Sequence, residues 1–367
     1  MIYIHSKKWG GVRAVLYKTN KRGECLHMKI DILNPKISKV AEGMEGKVIL
    51  LYGGNNVGKT LQATRFKKPF YIGLEDGLRA IPGIPFESVD KWRELKEIIK
   101  QFTNPKTIEQ VKERFQTIIF DGVYDSAIMC QQYVCQTNGA VHMGEVAPAG
   151  VSRPNLWTAY EVEYMTEIGK LLKSGFTVVF IGHAEVDKDT GQINPKGDKR
   201  SMTLIRNKAD ITAYIQPNGI DAEGNVINST AWFVESIGEE GKGGHFARSR
   251  FTEIVPRIEF TAENLEKALA DAIRKDSEKR GTKAVSFEEQ QEDYKETELD
   301  YGKLMEEIQE VGNALVGAGL GEEVVYIQEK HLGQGKRVTE CTRGQEQVVS
   351  VVLDDMKELL EESNKLK

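Results

Sequence analysis

The run Gly53-Gly54-Asn55-Asn56-Val57-Gly58-Lys59-Thr60 fits the pattern G-x-x-x-x-G-K-[ST]. Glycines let a backbone turn tightly and aim its N–H groups inward at phosphate oxygens. Lys59 is spaced to reach the β- and γ-phosphates of a nucleoside triphosphate, and the Thr60 hydroxyl to ligate Mg²⁺. A helix beginning at the motif adds its N-terminal dipole. The pattern alone occurs in many chains, and a plain glycine turn is the alternative. An apolar strand run before it and a helical pattern after it supply the context the chemistry needs.

Other acids and a histidine at the ends of apolar runs could complete such a site. Asp121 closes Thr117-Ile118-Ile119-Phe120 and is placed to hold a Mg²⁺ shell through water. A helix N-cap is the other use of an aspartate there. Glu75 and Asp76 follow Phe70-Tyr71-Ile72-Gly73-Leu74 and offer a carboxylate to polarise an attacking water, or two solvated loop acids. His183 follows Phe180-Ile181-Gly182 and offers a hydrogen bond to a γ-phosphate, or a satisfied loop histidine.

These groups need a scaffold that gathers strand ends. Val48–Tyr52, Pro69–Leu74, Thr117–Asp121 and Phe176–Ile181 are continuous apolar runs, each followed by a helical or polar segment. That pattern predicts a parallel sheet covered on both faces, an α/β fold of P-loop NTPase type. Ile211–Ile215, Thr230–Glu235 and Gly244–Phe251, with turn-rich links, predict an added meander, and Glu263–Lys275 a closing helix. Residues 283–300 are charged and predict a linker. Residues 301–367 predict a small helical module on the spacing of Leu304, Ile308, Val311 and Leu315, and of Val348, Val352, Met356 and Leu359. The expected domains are therefore an extension at 1–27, a core at 28–282, the linker and the module.

Of the 367 residues, 40% are hydrophobic and 29% charged, which excludes a disordered chain, collagen or a coiled-coil rod. No apolar run approaches the ~20 residues that cross a bilayer. The N-terminus has no signal-peptide stretch, and Cys25, Cys130, Cys135 and Cys341 have no metal spacing, so reduced thiols in a bacterial cytoplasm are expected. The net charge of −5 divides unevenly: residues 1–27 carry +5, residues 283–367 carry −10, and the stretch between is neutral. Lys21-Arg22-Gly23-Glu24 can be encoded by a purine-rich, ribosome-binding-like stretch ahead of Met28. Met28 is thus one expected start, and a disordered basic arm over 1–27 is the other reading.

Asn207-Lys208-Ala209-Asp210 matches the guanine signature N-K-x-D. It follows a polar region rather than a buried strand, and no D-x-x-G follows Asp121, so ATP is expected over GTP. Two loops are expected on the nucleotide side, at 139–156 and 184–208. The second carries Lys188, Lys196, Lys199, Arg200, Arg206 and Lys208, which suit a nucleic-acid backbone, although its acids also suit an ordinary solvated loop. Lys196, Lys199, Arg200 and Arg206 are the expected DNA contacts. Trp157 and Tyr160 have a helical spacing that favours core packing over base stacking.

Over roughly residues 40–280 the chain resembles RecA-like ATPases, specifically the phage AAA-type proteins grouped with the Sak-type single-strand annealing recombinases. The resemblance rests on the P-loop, Phe70–Leu78, Ile118–Asp121, Phe180–His183, Ala209-Asp210-Ile211 and Phe246-Ala247-Arg248-Ser249-Arg250-Phe251. It implies that Glu75 is the catalytic glutamate and that His183 couples γ-phosphate to a DNA loop. It also implies that Arg248 and Arg250 reach a neighbouring subunit's nucleotide.

The expected function is an ATP- and Mg²⁺-dependent phage recombination ATPase, stimulated by single-stranded DNA and assembled as a ring or filament. A phage or host single-strand-binding or replication protein is the expected further partner, and no membrane is involved. The alternatives are an ATP-switched assembly factor such as a helicase loader, and a P-loop small-molecule kinase.

Overall fold

A computed structural model describes residues 35, 37–75, 77–224, 227–238, 242–295, 301–342 and 344–365. The expectations for residues 1–27, including Cys25 and the alternative start at Met28, lie outside the described residues, as does Asp76. The chain divides into two units: Ser38–Gln291, and a second one that contains the described residues from Glu292 onward.

The four apolar runs become the parallel core of the first unit. β1 (Val48–Gly53) lies between β5 (Thr177–Val186) and β7 (Ile211–Gln216), parallel to both. β5 pairs with β4 (Thr117–Asp121), β4 with β2 (Pro69–Gly73), and β2 with the short edge strand β3 (Phe86–Ser88). β3 has no counterpart in the sequence reading; its three residues are all exposed, so no apolar run marks it. On the far side, β8 (Thr230–Trp232) adds antiparallel to β7 and β12 (Arg257–Glu259) to β8. The order is β12-β8-β7-β1-β5-β4-β2-β3.

The core strands are apolar throughout because successive side chains enter different layers. Val48, Leu50, Ile118, Phe120, Val178 and Phe180 pack under α2 (Trp92–Phe102), α4 (Val123–Thr137) and α5 (Leu156–Lys173). Ile49, Leu51, Tyr71, Ile119, Val179 and Ile181 face α1 (Lys59–Ala63) and α7 (Ala262–Arg280). The helix α3 (Ile108–Arg114) precedes β4.

The loop expected at 184–208 is structured. β5 runs on to Val186, turns, and returns as β6 (Ile193–Pro195); α6 (Lys199–Lys208) follows. Local hydrogen bonds explain this. Asp187 Oδ1 accepts from the backbone of Asp189 and Thr190 and from the Thr190 hydroxyl, closing the turn. Asp198 Oδ1 accepts from Ser201 N and caps α6. Two of the acids in this stretch, Asp187 and Asp198, thus serve to order it. The meander divides further into β9 (Ser236–Ile237), β10 (Gly244–His245) and β11 (Arg248–Ser249). β10 pairs with both β6 and β9.

The expected linker also begins as structure. Val285 forms a parallel bridge with Ala41, and α8 (Phe287–Lys295) starts with a buried Phe287. One aromatic amid charges gives no periodicity to read.

The second unit contains α9 (Tyr301–Gly317), α10 (Gly321–Leu332), a 3-10 turn at Val338–Glu340 and α11 (Glu346–Lys365). Leu304, Ile308, Leu315, Val352 and Met356 are buried as their spacing predicts. Val348 is not; Val349 takes the core position instead. Burial would raise the Asp355 carboxyl, but hydrogen bonds from His331 and Lys330, each 2.8 Å, hold it below its ordinary value.

Among the described residues, no helix is long and apolar enough to cross a membrane. Cys130, Cys135 and Cys341 are free and buried.

Candidate functional site

β1 delivers the chain into the P-loop at the carboxyl end of the sheet. Asn56 and Gly58 both adopt positive φ, 58° and 84°, which curls the loop back on itself. Gly58 has open space where a Cβ would stand, so what it supplies is the left-handed backbone. α1 is only five residues long, so the phosphate cradle rests on the loop's own N–H groups more than on a long helix dipole.

Lys59 is 7% exposed, and its Nζ donates to the carbonyls of Gly53 at 3.2 Å and Gly54 at 2.5 Å. The ammonium thus rests on the loop it would leave for a phosphate. Burial pushes its pKa down, opposed by the charges of Asp121 and Glu75.

Parallel registry gathers the other groups. Gly53 lies opposite His183, Asp121 opposite Ile181, and Gly73 opposite Asp121. The ends of β1, β5, β4 and β2 therefore share one edge. Asp121 is 4% exposed, and its Oδ2 accepts from Thr60 Oγ1 at 2.8 Å and from the Tyr71 hydroxyl at 2.7 Å. The N-cap of α4 is Gly122, with no side-chain cap, so Asp121 is not spent on capping. Glu75 Oε2 meets His183 Nε2 at 3.1 Å.

Thr60 and Asp121 are adjacent hard-oxygen donors beside the phosphate loop. They fit Mg²⁺, which takes one or two protein oxygens and fills its shell with phosphates and water. Among the described residues, no cluster of three or more His, Cys, Asp or Glu forms an all-protein metal cage.

This constellation is a phosphate loop followed by two carboxylates and a histidine gathered at one edge of the parallel core. Residues 45–251 match the AAA domain family. The chain belongs to that family. It is also 47% identical over 336 residues to the SPbeta prophage-derived uncharacterized protein YorG of Bacillus subtilis (strain 168), covering 91% of this chain and 100% of that protein. The AAA domain makes the chain a P-loop ATPase in general terms.

Other sequence-derived candidates fall elsewhere on the AAA domain. Asp210 Oδ2 accepts from Val48 N at 2.8 Å, at the start of β1, whereas the P-loop leaves its other end. The separation is roughly 17 Å at ~3.3 Å per residue. Asn207–Asp210 therefore does not read a base on this P-loop.

Arg250 lies at that same far end. It pairs with Asp210 Oδ1 at 3.4 Å and donates to the Asn207 carbonyl at 2.6 Å. Arg248 sits on β11 opposite Thr212 and is half-buried. Lys196, Lys199 and Arg200 are exposed, with Arg200 over the Trp157 ring at 4.8 Å. Arg206 differs, because its guanidinium stacks on Phe246 at 3.4 Å and burial lowers its pKa. Tyr160 is buried and donates to Ser201 Oγ, as its spacing predicts.

Sequence reasoning missed Tyr71, which looked like one more apolar strand residue. The signal was available: a phenol inside a run that is otherwise without polar side chains. Burial, then the charge of Asp121, push the Tyr71 pKa well up, so the hydroxyl stays a donor.

Proposed function

We propose that this protein is a phage-encoded ATPase that binds single-stranded DNA and promotes annealing or strand exchange. The observation that carries the reading is the continuity of β5. From His183 at the nucleotide edge it runs directly into the β5–β6 hairpin, and Lys196 N donates back to the His183 carbonyl at 2.9 Å. A change at His183 thus has one covalent and one hydrogen-bonded route to Lys196, Lys199 and Arg200. The prophage origin in the name of the related protein supports the phage setting.

In this reading the P-loop amides and Lys59 bind the β- and γ-phosphates of ATP and neutralise charge as the γ-phosphoryl transfers. Thr60 and Asp121 hold Mg²⁺, which supplies further charge neutralisation when bound. Glu75 orients and deprotonates the attacking water. His183 competes for Glu75 and so reports whether a γ-phosphate is present. Lys196, Lys199 and Arg200 meet the DNA backbone, with Trp157 behind Arg200 as a stacking platform. Arg248 acts on the nucleotide of a neighbouring subunit in a ring or filament. Arg250, already paired within its own chain, keeps β11 in place. A single-strand-binding or replication protein completes the set of partners.

A second reading, an ATP-switched assembly factor such as a helicase loader, is favoured by one feature. Residues 301–365 include a separate helical core, and the chain from residue 283 onward carries −10, which repels DNA and suits a protein partner. ATP hydrolysis by the full chain, with and without single-stranded DNA, separates the two. Stimulation by DNA supports the recombination reading; unchanged turnover overturns it in favour of the assembly factor.

A further inference from the structure

We propose that Tyr71 is a positioning residue for Asp121, fixing the carboxylate that holds the Mg²⁺ shell of bound ATP. The inference rests on assigning Asp121 to that shell. Tyr71 is 1% exposed within Pro69-Phe70-Tyr71-Ile72-Gly73, where a phenylalanine would fill the same space at no polar cost. A buried phenol must find a partner. Tyr71 stands opposite Ile119, and Asp121 lies two residues further along the same face of β4, within diagonal reach of a tyrosine.

The two hydroxyls on Asp121 differ in what else they do. Both Thr60 and Tyr71 donate to Oδ2, which restrains the carboxylate's rotation and leaves Oδ1 for other partners. Thr60 is the hydroxyl that would hold Mg²⁺ once nucleotide is bound, and its bond to Asp121 would then be given up. Besides the Gly77 backbone, Asp121 is the one side-chain partner of the Tyr71 hydroxyl among the described residues, so Tyr71 is the donor that keeps the carboxylate aimed through the cycle.

Gly77 completes the arrangement. A Cβ there would lie 2.1 Å from Asp121 Oδ2 and 2.5 Å from the Tyr71 hydroxyl oxygen. Only a glycine lets the backbone beyond Glu75 pass over the pair. Gly77, two residues beyond the candidate base, thus packs directly against the metal-shell carboxylate and its phenol.

The test is a Mg²⁺ titration of fluorescent ATP-analogue binding to the full chain, repeated in EDTA, with steady-state kinetics alongside. Tyr71→Phe is expected to raise the half-saturating Mg²⁺ concentration about 10-fold and to lower kcat. Nucleotide affinity in EDTA should stay unchanged, which a general packing defect would not allow. If Asp121→Asn shifts the Mg²⁺ requirement and Tyr71→Phe titrates like wild type, the proposal is overturned alone. If Asp121→Asn itself causes no shift, the assignment on which it rests is overturned. Should Tyr71→Phe fail to fold, Gly77→Ala carries the test, because its methyl displaces the same carboxylate and should give the same shift. A wild-type titration from folded Gly77→Ala overturns the proposal.

Discussion

Glu75 Oε2 and His183 Nε2 lie 3.1 Å apart across the carboxyl edge of the sheet. They are 108 residues apart in the chain. Glu75 follows β2 and His183 lies within β5, with β4 between them. The contact ties the candidate base to the histidine across the intervening strand, and in the proposed reading the two separate when a γ-phosphate binds.

Glu75→Gln is expected to bind ATP normally and to lose turnover by roughly 10²–10⁴-fold, since the amide keeps the shape but cannot take a proton. Fluorescent ATP binding and phosphate release measure the two effects separately. Asp76→Asn serves as the register control. If it stops hydrolysis and Glu75→Gln does not, the base has been placed one residue too early.

Lys59→Ala removes the buried cation that rests on the Gly53 and Gly54 carbonyls. Turnover should fall at least about 10²-fold, as expected on losing a preorganised charge facing the transferring group. The fold should persist, because a buried ammonium is costly to keep. Near-normal phosphate release from a folded variant would sink the site assignment.

Arg250 and Arg248 should separate in their effects. Arg250→Ala breaks a partly exposed ion pair and a backbone hydrogen bond, costing about 1 kcal/mol in urea unfolding with little change in ATPase rate. Arg248→Ala should keep stability and abolish the rise of specific activity with protein concentration. Mixing Arg248→Ala with Lys59→Ala subunits should then recover activity, as intact loops meet intact arginines. A mixture with no recovery, together with concentration-independent turnover, would mean that Arg248 acts only within its own strand.

His245 gives the core unit a pH dependence near neutrality. Its ring is 7% exposed, stacked on Tyr214 at 4.8 Å, and burial holds its pKa below the ordinary value of 6.5, against a hydrogen bond with the Val234 backbone. A histidine with a depressed folded pKa contributes stability above its unfolded pKa. That contribution is lost as pH falls from there toward the folded value, because only the unfolded chain takes up the proton readily. Urea unfolding should therefore show wild type losing more stability than His245→Phe between pH 7.5 and pH 5.5. Equal losses would show that the ring titrates normally in the fold.

Much of this protein was legible without coordinates. Four apolar runs predicted the parallel sheet because strands buried on both faces cannot alternate with polar residues. The spacing of Gly53–Thr60 and the acid ending Ile118-Ile119-Phe120 marked the loop that leaves β1 and the carboxylate that closes β4, because a glycine-rich turn and a charge ending an apolar run are both visible in local sequence. Leu304, Ile308 and Met356 announced the helical module by period alone.

Tertiary structure decided what depends on neighbours distant in sequence. Local spacing cannot reveal that Asp210 and Arg250 sit at the opposite end of β1 from the P-loop, because strand order and direction place them there. Nor can it show that Arg206 is absorbed by Phe246, or that Phe287 lies within 3 Å of where a side chain at Gly46 or Gly175 would stand. The Asp121 cluster is the clearest case. Thr60, Tyr71, Gly77 and Asp121 span 61 positions and meet at one carboxylate oxygen. A hydroxyl's partner is set by the few ångströms around it, and only the register of β2 against β4 determines what lies there.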